Sequence, residues 1–258
     1  MTHRLLLLFH LIAVFELKAQ NSTDSTKFEL NEVYISSSKW NEKSNNSTKV
    51  ITKITKLNIA LYNPQTAADL LTVSEEIYVQ KSQQGGGSPM VRGFSTNRLL
   101  YSMDVVRLNN AIYRGGNIHN VISLDPNAID NTEILFGPGS VTYGSDAIGA
   151  VMSFSSLQHK KKVSDSLEVH GKSNFRFSSA NEEFSGHYDL NLSKKKWSFI
   201  SSVSKTRYSD LKMGNFGPSE YLQKYQVKRI GAVDSIVLNG NQKVQNPSGY
   251  EQIHTLHK

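Results

Sequence analysis

Between residues 167 and 177 every second side chain is apolar or small: Leu167, Val169, Gly171, Ser173, Phe175 and Phe177, with Glu168, His170, Lys172, Asn174 and Arg176 between them. A period of two belongs to an extended strand with one greasy and one wet face. The pattern returns at Phe184, Gly186, Tyr188, Leu190 and Leu192, alternating with Ser185, His187, Asp189 and Asn191, and a third strand begins at Trp197, Phe199 and Val203. Residues 178–182 make the first turn and residues 194–196 the second, while a long segment, 209–248, precedes a fourth strand starting at 249. Alternating segments of about ten residues, with aromatics near their ends and short and long connections in turn, are how a transmembrane β-barrel is written. A soluble antiparallel sheet with one solvated face has the same period. Four strands do not close a barrel, and an open lipid-facing edge leaves backbone groups unpaired, so the chain reads as the front part of a longer protein, its barrel truncated.

The beginning of the chain favours the membrane. His3 and Arg4 precede an apolar run over residues 5–15, and Ala19 offers a small residue near a cleavage point, with Leu17 larger than the position usually takes. This is the grammar of an export signal, residues 1–20. The run is short of the roughly 20 apolar residues that span a bilayer as a helix. No second stretch of that length follows, and a hydrophobic share of 38% is too low for a helical membrane bundle. A mature membrane form therefore crosses as strands. The chain has no cysteine, which excludes disulfides and thiolate zinc sites. Its net charge of +7 suits an anionic partner such as nucleic acid or lipopolysaccharide, but the lysines are scattered, as in an evenly solvated surface.

Residues 21–48 are a polar leader with one β-prone island, Glu29, Leu30, Asn31, Glu32, Val33, Tyr34, Ile35 and Ser36. The island is either an edge strand of the following domain or a segment that adds a strand to a partner's sheet. From 49 to 155 the pattern is mixed. Residues 50–57 predict a strand, and Asn63 with Pro64 at the first helical position predicts a helix over 65–72. A strand over 77–80 enters the glycines at 85–87, the near-continuous apolar run over 98–106 predicts a strand covered on both faces, and 132–136 and 148–154 close the domain. The glycine-dense stretches do not end in Lys-Ser or Lys-Thr, so they are not phosphate loops. Ser140 and Ser145 have no His and acid placed by the sequence to activate them. No catalytic residue is assigned, and the chain is not read as an enzyme.

The set Met90-Val91-Arg92-Gly93-Phe94, Asn97-Arg98, Met103-Asp104-Val105-Val106, residues 133–140 and residues 143–149 occurs in the order found in TonB-dependent outer-membrane receptors, which the chain resembles. The resemblance implies an α/β plug domain over 49–155, seated in a barrel of about 22 strands, of which residues 156–258 hold the first four or so. It implies that the island at 29–36 is the TonB box, gripped by an inner-membrane energy-coupling protein, and that the leader faces the periplasm of a bacterial cell with the barrel in outer-membrane lipid. Gln84, Gly85, Ser88 and Met90, with Tyr113, Arg114, Asn117 and His119, fall in the apical plug loops where substrate binds. Arg92, Gly93, Arg98, Gly137, Gly139, Tyr143, Gly144 and Gly149 are plug scaffold, the arginines pairing with barrel carboxylates. Residues 114–126 are similar to receptors for haem or haemoglobin. The implied cargo is therefore a scarce nutrient, haem or another iron complex such as a siderophore, bound in transit and not as a permanent cofactor. His119 is then a candidate iron ligand, and no nucleic acid is involved. A passive surface binder or adhesin would carry the same barrel without needing the island. Two positions depart from the family pattern: Val105 stands where glycine often follows the aspartate, and Phe136 where arginine usually precedes Gly-Pro-Gly.

Overall fold

A computed structural model of the chain describes residues 49–81, 84–108, 120–159 and 165–258, with the backbone of two short strands before them. The chain divides into Met1–Glu32, which lies outside the described residues and includes the segment expected to be an export signal, and Val33–Lys258, which contains every described element. The short strands are β1 (Val33–Tyr34) and β2 (Glu42–Lys43), an antiparallel pair. The β-prone island is thus given a partner within its own leader.

A five-stranded sheet organises residues 51–156. Its strands are β3 (Ile51–Ile54), β6 (Leu99–Met103), β7 (Val106–Arg107), β8 (Ile129–Phe136) and β9 (Ala150–Ser156), in the order β3-β8-β9-β6-β7 with only β6 and β9 parallel. A separate hairpin pairs β4 (Tyr78–Gln80) with β5 (Ser88–Met90). One face of the sheet carries Ile54, Leu99, Tyr101, Ile134, Met152 and Phe154, packed on the helices α1 (Lys56–Tyr62) and α2 (Ala67–Thr72). The other face carries Leu100, Leu135 and Val151 against the one-turn helix α3 (Ser140–Tyr143). The apolar run in β6 is accordingly continuous because successive side chains enter two different cores.

The first helix departs from the sequence reading. The predicted strand over 50–57 stops at Ile54, because Thr55 and Asn58 form a reciprocal capping box that starts α1. Asn63 does not begin the next helix. It ends α1 in a left-handed conformation (φ 43°), its N–H bonded to the carbonyl of Ile59, and Thr66 caps α2 instead. The apolar run over 98–106 is likewise broken at Asp104 and Val105, both left-handed (φ 47° and 71°), which turn β6 into β7. A β-branched residue there carries strain of about 1 kcal/mol or more that glycine would not. Asp104 is held in the turn by its own bonds: its carboxylate accepts the Ser156 N–H at 3.0 Å, the Ser156 hydroxyl at 2.5 Å and the Lys258 ammonium at 3.0 Å.

The second sheet comprises β10 (Glu168–Ser178), β11 (Glu183–Lys194), β12 (Trp197–Tyr208) and β17 (Tyr250–His257), antiparallel and paired without a register slip. Residues 179–182 and 195–196 are its short turns. The 209–249 excursion holds two further hairpins, β13 (Leu211–Lys212) with β16 (Val244–Gln245) and β14 (Tyr225–Ile230) with β15 (Val233–Leu238).

The two faces of this wall are reversed relative to a soluble sheet. Phe175, Phe177, Phe184, Tyr188, Trp197 and Val203 point outward and are 43–72% exposed, whereas Glu183, Ser185, His187, Asn191, Ser193, Ser202 and Ser204 are buried against the α/β unit. Phe177 pairs with Phe184 at one end and Trp197 with Lys194 at the other. The ten residue steps between these levels on β11, at ~3.4 Å each and tilted ~40°, span roughly 25 Å, the height of a lipid-facing band. We expect Val203→Arg, mid-strand on the outer face, to cost about 2–4 kcal/mol when the receptor is unfolded by denaturant from lipid vesicles; an unchanged midpoint would show that this face is not in lipid.

Candidate functional site

The site grows out of the seam between the α/β unit and the inner face of the wall. Arg176 donates to the side chain of Asn63 at 2.8 Å and to the Pro64 carbonyl at 3.0 Å, and Asn174 donates to Asn127 at 3.3 Å. The Gln65 amide donates to Glu183 at 2.5 Å, a carboxylate only 1% exposed that also has the Arg176 guanidinium 3.8 Å away. Farther along, Ser204 donates its hydroxyl proton to Asp125 at 2.5 Å. Since that proton is committed, Nδ1 of His187, 2.7 Å from the Ser204 oxygen, is the donor of the next bond, and Nε2 lies 3.2 Å from Asp189. Serine, histidine and aspartate here are the residue types of a hydrolase, but Ser204 is 2% exposed and bonded to a carboxylate. It is a fastening rather than a nucleophile.

At the end bearing the 179–182 turn and the long excursion, Gln84 ties three wall segments together. Its amide donates to the carbonyls of Ser209 (2.8 Å) and Ser248 (3.3 Å) and accepts from Asn181 (3.1 Å). Beside it opens a cleft of about 280 Å³ whose walls include Gln65, Lys81, Gln84, Gly85, Asn181 and Tyr208. Lys81 is ion-paired with Asp69, and Tyr208 lies 4.8 Å from the Tyr250 ring. Gly85 is left-handed (φ 71°), and a Cβ there would fall 1.5 Å from the Tyr250 hydroxyl. No other residue fits this contact.

Of the sequence-predicted residues, Gln84 and Gly85 thus meet at the cleft. Ser88 and Met90 are strand residues of β5, bonded in register to Gln80 and Tyr78. Tyr113, Arg114, Asn117 and His119 lie outside the described residues, as does the 29–36 island except for the backbone of β1. Arg92 is exposed and sits 5.1 Å over the Phe136 ring, so the phenylalanine that replaces the expected arginine serves as its platform. Neither Arg92 nor Arg98 has a carboxylate partner among the described residues. Gly137 and Gly139 donate to the carbonyls of Gly149 and Ala147, Gly149 packs on Phe94, and Gly93 and Gly144 sit in turns. Burial pushes the Tyr143 hydroxyl up to about 12, assisted by the Glu133 carboxylate. The sequence reading missed Gln65, Glu183, His187, Ser204, Asp125 and the two tyrosines. Their signal was present as a strand face unusually rich in groups that need partners, which was read as solvated.

Two outcomes are expected of this geometry. Gly85→Ala should destabilise the folded receptor by more than about 1 kcal/mol and weaken ligand binding, while Gly240→Ala, where a Cβ meets nothing, should leave the melting temperature unchanged. Burial raises the Asp104 pKa, but the Ser156 bonds and Lys258 outweigh it and hold the carboxyl below its usual range. Its contribution is therefore complete above the unfolded carboxylate range and lost as pH falls through the lower folded value. Acid titration of stability should lose that step in Asp104→Asn.

A family model described as the TonB-dependent receptor plug domain matches residues 43–151. The vitamin B12 transporter BtuB of Vibrio vulnificus strain CMCP6 is 38% identical over 91 residues, covering 33% of this chain and 14% of that protein. Its counterpart in strain YJ016 is 32% identical over 116 residues, 44% of this chain and 18% of that protein. The chain therefore spans less than a fifth of these curated relatives. Among solved structures, the copper transporter OprC aligns with a TM-score of 0.56 at 16% identity, over 65% of this chain and 26% of that one. The pyoverdine outer membrane receptor FpvA from Pseudomonas aeruginosa PAO1 gives 0.55 at 15%, over 75% and 26%. At such identities the likeness is one of fold, and its coverage runs past the plug into the strands beyond it. Residues 43–151 thus match the TonB-dependent receptor plug domain, and the plug-and-wall arrangement has the fold of outer-membrane receptors.

Proposed function

We propose that the chain is the plug and opening barrel wall of a transporter that takes up a scarce metal complex across the bacterial outer membrane, powered through the leader. The observation that carries this reading is the reversed wall: apolar side chains outward, polar side chains fastened to the plug. Only a sheet with lipid outside and a protein stopper inside is stable in that sense. Lipid of the outer membrane is thus one partner. The work for uphill movement comes from a TonB-type protein of the inner membrane that pairs by strand addition with residues 29–36, the leader facing the periplasm.

The relatives are named for vitamin B12, copper and pyoverdine, so the likeness alone selects no cargo. Haem or another ferric chelate is our reading, from the likeness of residues 114–126 to haem receptors, with the Gln84 cleft and residues 109–120 as its binding site. His119 is the candidate iron ligand if the cargo is haem. Deletion of residues 29–36 should abolish uptake of the cargo while surface binding persists. Undiminished uptake by the deletion would favour a passive binder or adhesin and sink the coupled mechanism.

A further inference from the structure

A second cavity, of about 480 Å³, lies between the plug and the wall toward the 195–196 turn, at the other end of the seam from the Gln84 cleft. Its volume is within the range of ligand pockets, about 300–1,000 Å³. Its polar lining comes from Lys56 and Asp130 of the plug, His159 after it, and Lys172, Asp189 and Asn191 of the wall. Each acid in it has a basic group beside it: Asp130 has Lys56 at 3.5 Å, and Asp189 has the His187 ring at 3.2 Å. Other groups are open. Asn191 is 8% exposed, yet its side-chain oxygen has no hydrogen-bond partner, and the buried Nδ1 of His159 has none either. Lys172 makes no ion pair among the described residues. Buried Leu157 and Ile200 give the cavity an apolar side.

A buried polar atom left unpaired costs about 1–3 kcal/mol, so such a cavity is stabilised by a guest that supplies the missing bonds. With the Lys172 ammonium and the His159 imidazole open to a carboxylate, and the Asn191 carbonyl oxygen open to a donor, the fitting guest carries carboxylate groups together with a hydroxyl or N–H on a partly apolar body. We propose that this cavity is a second, inward-side binding site, a station for a carboxylate-bearing metal complex between the Gln84 cleft and release. This rests on the transport reading above. The two sites lie on one strand: from Glu183, beside the cleft, to Asn191 is eight residues of β11, about 27 Å of extended chain. Asp189 lines the cavity and lies 3.2 Å from Nε2 of His187, whose Nδ1 faces the Ser204 hydroxyl that is bonded to Asp125 of the plug.

The test is a count of sites on the full-length receptor in detergent, titrated with ferric protoporphyrin IX and with ferric citrate. At least one probe should show two sites. Lys172→Gln combined with Asn191→Leu should weaken one of them tenfold or more and leave the other within twofold, whereas Gly85→Ala should weaken the other. Lys172→Gln alone, at an exposed position, should give the same direction of change without risk to folding. A single site for both probes in the wild type, or two sites unaltered by the variants, overturns the proposal. The 29–36 deletion should keep both sites, so the count stands or falls separately from the uptake measurement that tests the transport reading.

Discussion

The structure depends on burial of a polar strand face. In a water-soluble antiparallel sheet the greasy face goes inward; here Glu183, His187, Asn191, Ser202 and Ser204 are the inward set and the aromatics remain outside. Each outward Phe or Val would forgo about 1.5–3 kcal/mol if left in water, so the wall needs lipid. Each inward polar group would lose about 1–3 kcal/mol if unpaired, so the wall also needs the plug. The turn at Asn63-Pro64-Gln65 supplies partners for Arg176 and Glu183, and the cap at Asp125 one for Ser204.

The plug divides its own labour. Its sheet is sealed on both faces by apolar cores, with Leu99 and Tyr101 in one and Leu100 in the other, and the helices close the larger core. The contacts to the wall come from the connections: the α1–α2 junction, the Asp125 cap, the Asp104 turn and the Gln84 loop. Stability of the body and attachment of the body are thus carried by different atoms, and attachment can change while the core stays packed.

The strands of the wall were legible because a period of two survives over ten residues, and the register needs no bulge. What the period cannot convey is which face is dry; that is decided by the solvent on each side, which no local pattern contains. The α1–α2 junction failed for a different reason. Pro64 is a strong start signal, yet Thr55 and Thr66 cap the helices by hydroxyl bonds to backbone N–H groups, and Asn63 is better used as a left-handed terminator whose side chain then faces Arg176. The two extra hairpins of residues 209–249 were read only as length. Their strands pair locally and leave Val227, Ile236 and Leu238 exposed, so neither core nor wall imposes a pattern on them.

If the plug is displaced during the transport proposed above, a polar seam has the right energetics for it. Parting an apolar interface of the same area costs about 25 cal/mol for each Å², all of it lost to water. Parting a hydrogen-bonded one exchanges each bond for a bond to water, at about 1.5–3 kcal/mol net where the acceptor is a carboxylate. The bonds along β11 are separate, at Glu183 with Gln65 and at His187 through Ser204 to Asp125, so they can yield one after another and the largest single step is that of one bond. Holding the plug needs all of them, whereas moving it needs only the next, and a seam of this kind is at once tight at rest and passable under a modest pull.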